Sequence, residues 1–272
     1  MFTSVEDVQQ RFREASYIAN RRIATVVYLA ERMGRPVLIE GPAGVGKTEM
    51  AKVLAEATGR RLIRLQCYEG LDEGKALYEW KYAKQLLYTQ LLKERIGELI
   101  EDTHSLPEAV AKIAGQDDAF FSYRFLSPRP LLSAIQADNP VVLLVDEIDK
   151  AEPEFEAFLL EVLSDFQVSV PELGTIVAKH IPLVVLTSNN ARELSDGLKR
   201  RCLHLFIDFP APREELEILR LKVPEISERL AQAVVTAVQR IRAMELRKPP
   251  SVSESLDWAR SLVILNAETL DP

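Results

Sequence analysis

Apolar and polar positions follow two different rhythms along this chain. Over residues 5–33 apolar side chains recur at helical spacing (Val5, Val8, Phe12, Ile18, Ile23, Val26, Val27, Leu29), and the pattern stops at Gly34. Short apolar runs of strand length follow: VLIE at 37–40, RLIRLQ at 61–66, VVLLVD at 141–146, LVVLT at 183–187 and LHLFIDF at 203–209. These runs are nearly continuous in apolar residues instead of alternating. That pattern predicts strands covered on both faces, as in a parallel α/β sheet, with the helical stretches between them supplying the covering layers.

From about Pro210 the rhythm changes. PREELEILRLK, ISERLAQAVVTAVQRIRAMEL and SESLDWARSLVIL read as helices with no strand between them, punctuated by Pro210, Pro212, Pro224, Pro249 and Pro250. The expected division is an α/β domain over 1–209 and a small all-helical domain over 210–272. The closing NAETLDP reads as the start of a further helix, which predicts a chain cropped at its C-terminus.

Composition narrows the picture. The 272 residues are 47% apolar, enough for a sizeable core, and 41 acidic against 34 basic side chains leave a net charge of −7. An acidic balance counts against a chain whose main role is to grip a phosphate backbone. Cys67 and Cys202 make no disulfide framework, and with His104, His180 and His204 they show no metal-ligand spacing. The N-terminus is polar and charged, unlike a signal peptide, and no run reaches the ~18 apolar residues of a membrane span. The expectation is a soluble cytoplasmic protein.

The chemistry concentrates in GPAGVGKT, residues Gly41, Pro42, Ala43, Gly44, Val45, Gly46, Lys47 and Thr48, followed by Glu49. It fits the G-x-x-x-x-G-K-[ST] phosphate loop in the right context, with an apolar strand before and a helix after. Glycines allow a positive φ and bring main-chain N–H groups close to a polyphosphate, and the helix beginning near Lys47 adds its positive end. Lys47 can reach the outer phosphates and the Thr48 hydroxyl can ligate Mg2+. In VVLLVDEIDK, Asp146 and Glu147 stand at the carboxyl end of a buried strand, where open α/β sheets bind ligands. Asp146 suits a metal and its water shell, and Glu147 suits polarising an attacking water. Asp149 and Lys150 are expected on the following loop, solvated or paired. A further strand ends in Thr187-Ser188-Asn189, where Asn189 either orients water or makes a turn. The helix expected over about 192–201 ends in Lys199, Arg200 and Arg201, either as ordinary dipole complements or as the source of an arginine finger for a neighbouring subunit.

These motifs, in this order and over about residues 15–265, resemble the AAA+ ATPases and within them the MoxR group. The resemblance implies a P-loop α/β fold with a five-stranded parallel sheet flanked by helices, followed by a helical lid. ATP would be held by Gly41 to Thr48 and Mg2+ by Thr48 and Asp146. Glu147 would be the base, Asn189 the first sensor, and Arg201 the finger, with Arg200 second. It also implies a ring, expected to be a hexamer, that remodels a protein client. VSV and TIVA around Pro171–Gly174 look like the hairpin that precedes the first sensor, and LQCYEGLDEGKALYEWKYAKQLL is closest to the branch that matures the molybdenum-containing centre of carbon monoxide dehydrogenase. Partners implied there are a von Willebrand factor A domain protein and a metalloenzyme client, with no nucleic acid. A nucleic-acid motor and a nucleotide-gated scaffold with slow hydrolysis are the alternative functions. Tyr17 and Ile18 are either an adenine pocket or core, and the aromatic residues around Trp80 are either a partner face or core. Where the family often carries a lid arginine this chain has SVSES, with Glu254 in the slot. Ser251 or Ser253 with Glu254 is expected to cap the helix, leaving Arg260 or a neighbouring subunit to supply a cation.

Overall fold

The apolar runs become strands, and the three at the centre of the sheet bury both of their faces. The computed structural model describes residues 1–91, 93, 97, 105, 107, 108, 112, 123–171, 173–244 and 246–267. The chain begins with helices α1 (Val5–Glu14) and α2 (Arg21–Met33), then β1 (Val37–Glu40), α3 (Lys47–Thr58) and β2 (Arg61–Gln66). A small excursion follows: α4 (Glu73–Leu77), β3 (Tyr78–Trp80), α5 (Tyr82–Leu91), β4 (Leu126–Pro128) and α6 (Pro130–Ile135). Next come β5 (Val141–Asp146), a 3-10 turn at Ile148–Lys150, α7 (Pro153–Asp165), the hairpin β6 (Gln167–Val170) and β7 (Gly174–Val177), and β8 (Leu183–Ser188). Helix α8 (Asp196–Arg201) and β9 (Leu203–Phe206) lead to α9 (Pro212–Lys222), α10 (Glu228–Arg242) and α11 (Val252–Ile264).

Five strands form one parallel sheet in the order β2-β5-β8-β1-β9. Every residue of β5 and β8 is buried. Their period of two divides them between the covering layers: Val142, Leu144 and Val185 pack with Phe12 and Met50 on one side, while Leu143, Val145 and Leu186 pack with Leu132 and Phe155 on the other. At roughly 1.5–3 kcal/mol for each fully buried large apolar side chain, these two layers dominate the cohesion of the sheet. The register sets Gln66 beside Asp146 and Ile39 beside Thr187, so the carboxyl ends of β1, β2, β5 and β8 finish level along one edge.

Helices α9, α10 and α11 enclose their own apolar cluster, including Leu219, Val223, Leu230, Val234, Val238 and Ala259. Beside it lies a buried ion pair, Glu215–Arg242 at 2.7 Å, whose carboxylate also accepts from Gln239 Nε2 and Ser255 Oγ, both at 2.8 Å. The Arg242 guanidinium lies 4.8 Å from the centre of the Phe209 ring, on the segment that joins β9 to α9.

Several expectations need correction. The N-terminal helical run is two helices, because Ser16 takes a left-handed backbone (φ 59) and Asn20 caps α2 by accepting from Ile23 N. The strand expected over 203–209 ends at Phe206, and the helix expected over 192–201 begins only at Asp196. The Trp80 segment pairs as a strand, Trp80 opposite Leu126, with Trp80 buried. Within that segment Tyr68, Tyr82 and Tyr88 are exposed. The hairpin β6–β7 forms as expected. The helix expected from the closing NAETLDP lies outside the described residues from residue 268 on. Among the described residues no helix is long and apolar enough to cross a membrane.

Candidate functional site

The loop between β1 and α3 folds tightly enough that two glycines are required. Gly41 (φ 150) lies so near the Ile207 carbonyl that a Cβ would overlap it, and at Gly44 (φ 74) a Cβ would overlap the Ser251 side chain. Helix α3 starts at Lys47 with no side-chain cap on its first amides, which leaves N–H donors facing the loop. Lys47 is buried and its Nζ donates to Gly41 O at 2.7 Å, Pro42 O at 2.6 Å and Asn189 Oδ1 at 2.7 Å. Burial pushes the Lys47 pKa down, against the opposing pull of Asp149, Asp146 and Glu147.

Opposite Lys47 stand the acids at the end of β5. Asp146 is buried, and its Oδ1 accepts from Thr187 Oγ1 at 2.6 Å and Thr48 Oγ1 at 2.9 Å. Its Oδ2 accepts from Arg64 Nη2 at 2.6 Å and Nε at 3.0 Å. Glu147 has a left-handed backbone (φ 58, ψ 51), a conformation costing roughly 1–2 kcal/mol in a side-chain-bearing residue, and its N–H donates to Thr187 Oγ1 at 2.9 Å. That geometry turns its carboxylate toward three donors: Asn189 Nδ2 at 3.0 Å, Gln66 Nε2 at 2.9 Å and Lys150 Nζ at 2.7 Å. Asn189 therefore bridges the lysine and the glutamate. Of the two alternatives for Asp149 and Lys150, solvated or paired, the second holds: Lys150 pairs with Glu147, and Asp149 is buried against main-chain donors. Its Oδ2 accepts from Asn189 N at 3.1 Å and Ala191 N at 2.9 Å, fixing the loop that carries the amide.

Sequence reasoning missed Thr187, Arg64, Gln66 and Asp149 as parts of this cluster. A signal for two of them was present: Arg64 and Gln66 are polar residues two apart at the end of an apolar strand, which puts them on one face at the ligand-binding edge.

Beside the loop opens a cavity of about 620 Å³ between the sheet and the C-terminal helices, within the range of small-molecule sites. Tyr17, Ile18, Ile207, Ile218, Leu256 and Arg260 contribute to its lining. Tyr17 and Ile18 stand in the break between α1 and α2, and burial raises the Tyr17 phenol pKa, with Glu214 and Glu49 adding to it. The helical region touches the phosphate loop directly: Ser253 N and Oγ donate to Gly44 O at 3.2 and 3.3 Å. Ser251 and Glu254 form a capping box at the start of α11, so the Glu254 carboxylate is engaged with Ser251 N at 2.6 Å. The Glu49 carboxylate accepts from Lys222 Nζ at 2.8 Å, and that bond holds its pKa below the usual carboxylate value.

Residues 36–202 match the family described as AAA domain (dynein-related subfamily). The chain belongs to that AAA family. This AAA chain is similar to Chaperone protein ClpB of Bacillus cereus, with 25% identity over 198 residues covering 72% of this chain and 17% of that protein. It is likewise similar to Chaperone protein ClpB 2 of Parasynechococcus marenigrum, with 31% identity over 160 residues, 58% of this chain and 14% of that one. It thus spans less than a fifth of the length of these two relatives. Among solved structures, a RuvB variant of Thermotoga maritima superposes with a TM-score of 0.53 and 17% identity over 99% of this chain and 67% of that one, a likeness of fold.

Two predicted residues stand outside the cluster. Arg200 and Arg201 are exposed in the last turn of α8. Their carbonyls accept from Arg35 at 2.7 and 3.2 Å, and neither guanidinium has a partner among the described residues. Neither makes a hydrogen bond or ion pair with Lys47 or Glu147. Among the described residues no group of three or more His, Cys, Asp or Glu side chains could hold a metal ion. One hydroxyl and one carboxylate, Thr48 and Asp146, fit Mg2+, which is usually bound by few protein oxygens together with substrate phosphates.

Proposed function

We propose that this AAA chain binds ATP with Mg2+ and hydrolyses it, acting in a ring of copies that remodels a protein client. The observation that carries the reading is the Asn189 bridge, which joins the phosphate-loop lysine to the Glu147 carboxylate across the strand ends. Gly41 to Thr48 would surround the phosphates with main-chain N–H groups, and Thr48 and Asp146 would hold the metal, whose charge stabilises the phosphates as the outermost bond breaks. Glu147 takes the proton of the attacking water while Asn189 fixes the position of both partners. The cavity beside Tyr17 and Ile18 takes the base and sugar. Domains over 1–209 and 210–272, with the second acting as a lid on the loop, accord with the Ser253–Gly44 contact.

Guanidinium groups on Arg200 and Arg201 that are exposed and without a partner among the described residues favour a finger that completes the site of an adjacent copy, and hence a ring, as a hexamer. The chaperone likeness favours a protein client. MoxR-like motifs favour a metalloenzyme of the carbon monoxide dehydrogenase type, delivered with a von Willebrand factor A domain partner. ATP turnover per subunit, measured as protein concentration rises, tests the central claim. It is expected to increase with concentration and to fall by about 10³-fold or more in Arg201→Ala. Turnover that is independent of concentration and survives Arg201→Ala would rule out the finger in trans.

A further inference from the structure

We propose that Arg64 is the resident counter-cation of Asp146 and competes with Mg2+ for it, so that this side chain sets how much magnesium the nucleotide site requires. The inference rests on the reading of Thr48 and Asp146 as the metal-binding pair. It begins with an imbalance of exposure. The Asp146 side chain is 2% exposed and the Arg64 side chain 49%. A carboxylate so deeply buried needs charged or hydrogen-bonded partners wherever it is ionised.

The partners divide between its two oxygens. Oδ1 takes the hydroxyls of Thr187 and Thr48, which are neutral, and Thr48 Oγ1 also lies 3.3 Å from Oδ2. Oδ2 takes the guanidinium of Arg64 through two nitrogens. Lys47 is occupied elsewhere, with its Nζ donating to Gly41 O, Pro42 O and Asn189 Oδ1. Lys150 is engaged with Glu147. Arg64 is thus the one cation hydrogen-bonded to Asp146 among the described residues.

A divalent ion drawn to Asp146 meets this positive charge already in place. Either the guanidinium leaves Oδ2, or it remains beside the ion, and both outcomes weaken metal binding relative to a neutral residue at position 64. Leaving is sterically open to a half-exposed side chain on β2, the edge strand of the sheet. Its other bond, to Gln66 Oε1, gives it a resting place nearby.

Metal affinity, not turnover, is the quantity to measure. Mn2+ binding is followed by electron paramagnetic resonance on the full chain saturated with a non-hydrolysable ATP analogue, for wild type, Arg64→Gln, Arg64→Thr and Arg64→Lys. Arg64→Gln and Arg64→Thr are expected to bind Mn2+ about fivefold more tightly, the size of a partly screened charge pair, with Arg64→Lys near wild type. In EDTA the two neutral variants are expected to melt at lower temperature than wild type, with Mg2+ and the analogue restoring more of the loss than wild type gains. Equal or weaker Mn2+ binding in the neutral variants, with the analogue still bound, overturns the inference while leaving the nucleotide reading intact. A wild type that binds no analogue overturns both.

Discussion

Lys47 and Asn189, 142 positions apart in sequence, meet at 2.7 Å. The lysine reaches across from the start of α3 and the asparagine descends from the end of β8, so the bond closes the ligand-binding edge of the sheet. The amide uses both of its ends, accepting from Lys47 and donating to Glu147. Substitution Asn189→Ala removes the spacer between a cation and an anion. We expect ATP turnover to fall about 10²-fold, with little change in affinity for a fluorescent ATP analogue.

Glu147→Gln keeps the shape of the side chain and removes its basicity. Turnover is expected to fall by roughly 10²–10⁴-fold. Nucleotide affinity, measured by the same analogue, is expected to stay within a few-fold of wild type, because no phosphate-loop donor is altered. Loss of affinity equal to the loss of turnover would remove Glu147 from the role of base.

Arg242→Ala leaves the Glu215 carboxylate buried without its charge partner. The side chains are 8% and 0% exposed, so water does not replace the lost guanidinium. Breaking such a pair costs roughly 3–5 kcal/mol, and denaturant unfolding of the helical region should show a loss of that order. A loss below about 1 kcal/mol would mean that the carboxylate finds another partner or is protonated.

The Glu49–Lys222 bond makes the contact between α3 and α9 sensitive to acid. The Glu49 pKa is lowered in the folded protein, so its contribution is present above the ordinary carboxylate range and is lost as pH falls through that range toward the folded value. With Glu49 38% exposed, solvent screening keeps the contribution below about 1 kcal/mol. Glu49→Gln is expected to flatten this part of the stability profile between about pH 5 and pH 3, as read from thermal melts.

Burial pushes both thiols, Cys67 and Cys202, up to about 12. Neither is a thiolate near neutral pH, and neither should react with iodoacetamide until the protein unfolds. Alkylation measured by mass spectrometry against denaturant concentration should therefore follow the unfolding curve. Rapid labelling of either cysteine in native buffer would show that its surroundings open.

The sheet was legible because VVLLVD and LVVLT are apolar on both faces, and that demand is written in consecutive residues. Lys47, Thr48, Asp146 and Glu147 could be singled out because each adjacent pair sits in a short motif next to an apolar strand, and the structure brings the two pairs together. Thr187 and Asp149 were not, because each acts on a group about 40 positions away in the chain, across a sheet register that no local pattern encodes, and for Arg64 the sequence offered its place at the strand end but not its partner. The shortened α8 has the same origin. Asp149 takes the N–H groups of Asn189 and Ala191, which holds the chain out of a helix until Ser195 caps one by accepting from Leu198 N. The break at Ser16 is local instead, closed by Tyr17 N donating to Phe12 O at 2.8 Å with the two rings edge to face at 5.8 Å.

The grip of Ser253 on Gly44 makes α11 a lever. The 13 residues of that helix extend about 20 Å, from a fulcrum on the phosphate loop to Ile264, which is 78% exposed at the far end. Because α11 is packed against α9 and α10 through Leu256, Ala259 and Leu262, a displacement of the three-helix unit would reach the Gly44 carbonyl through Ser253.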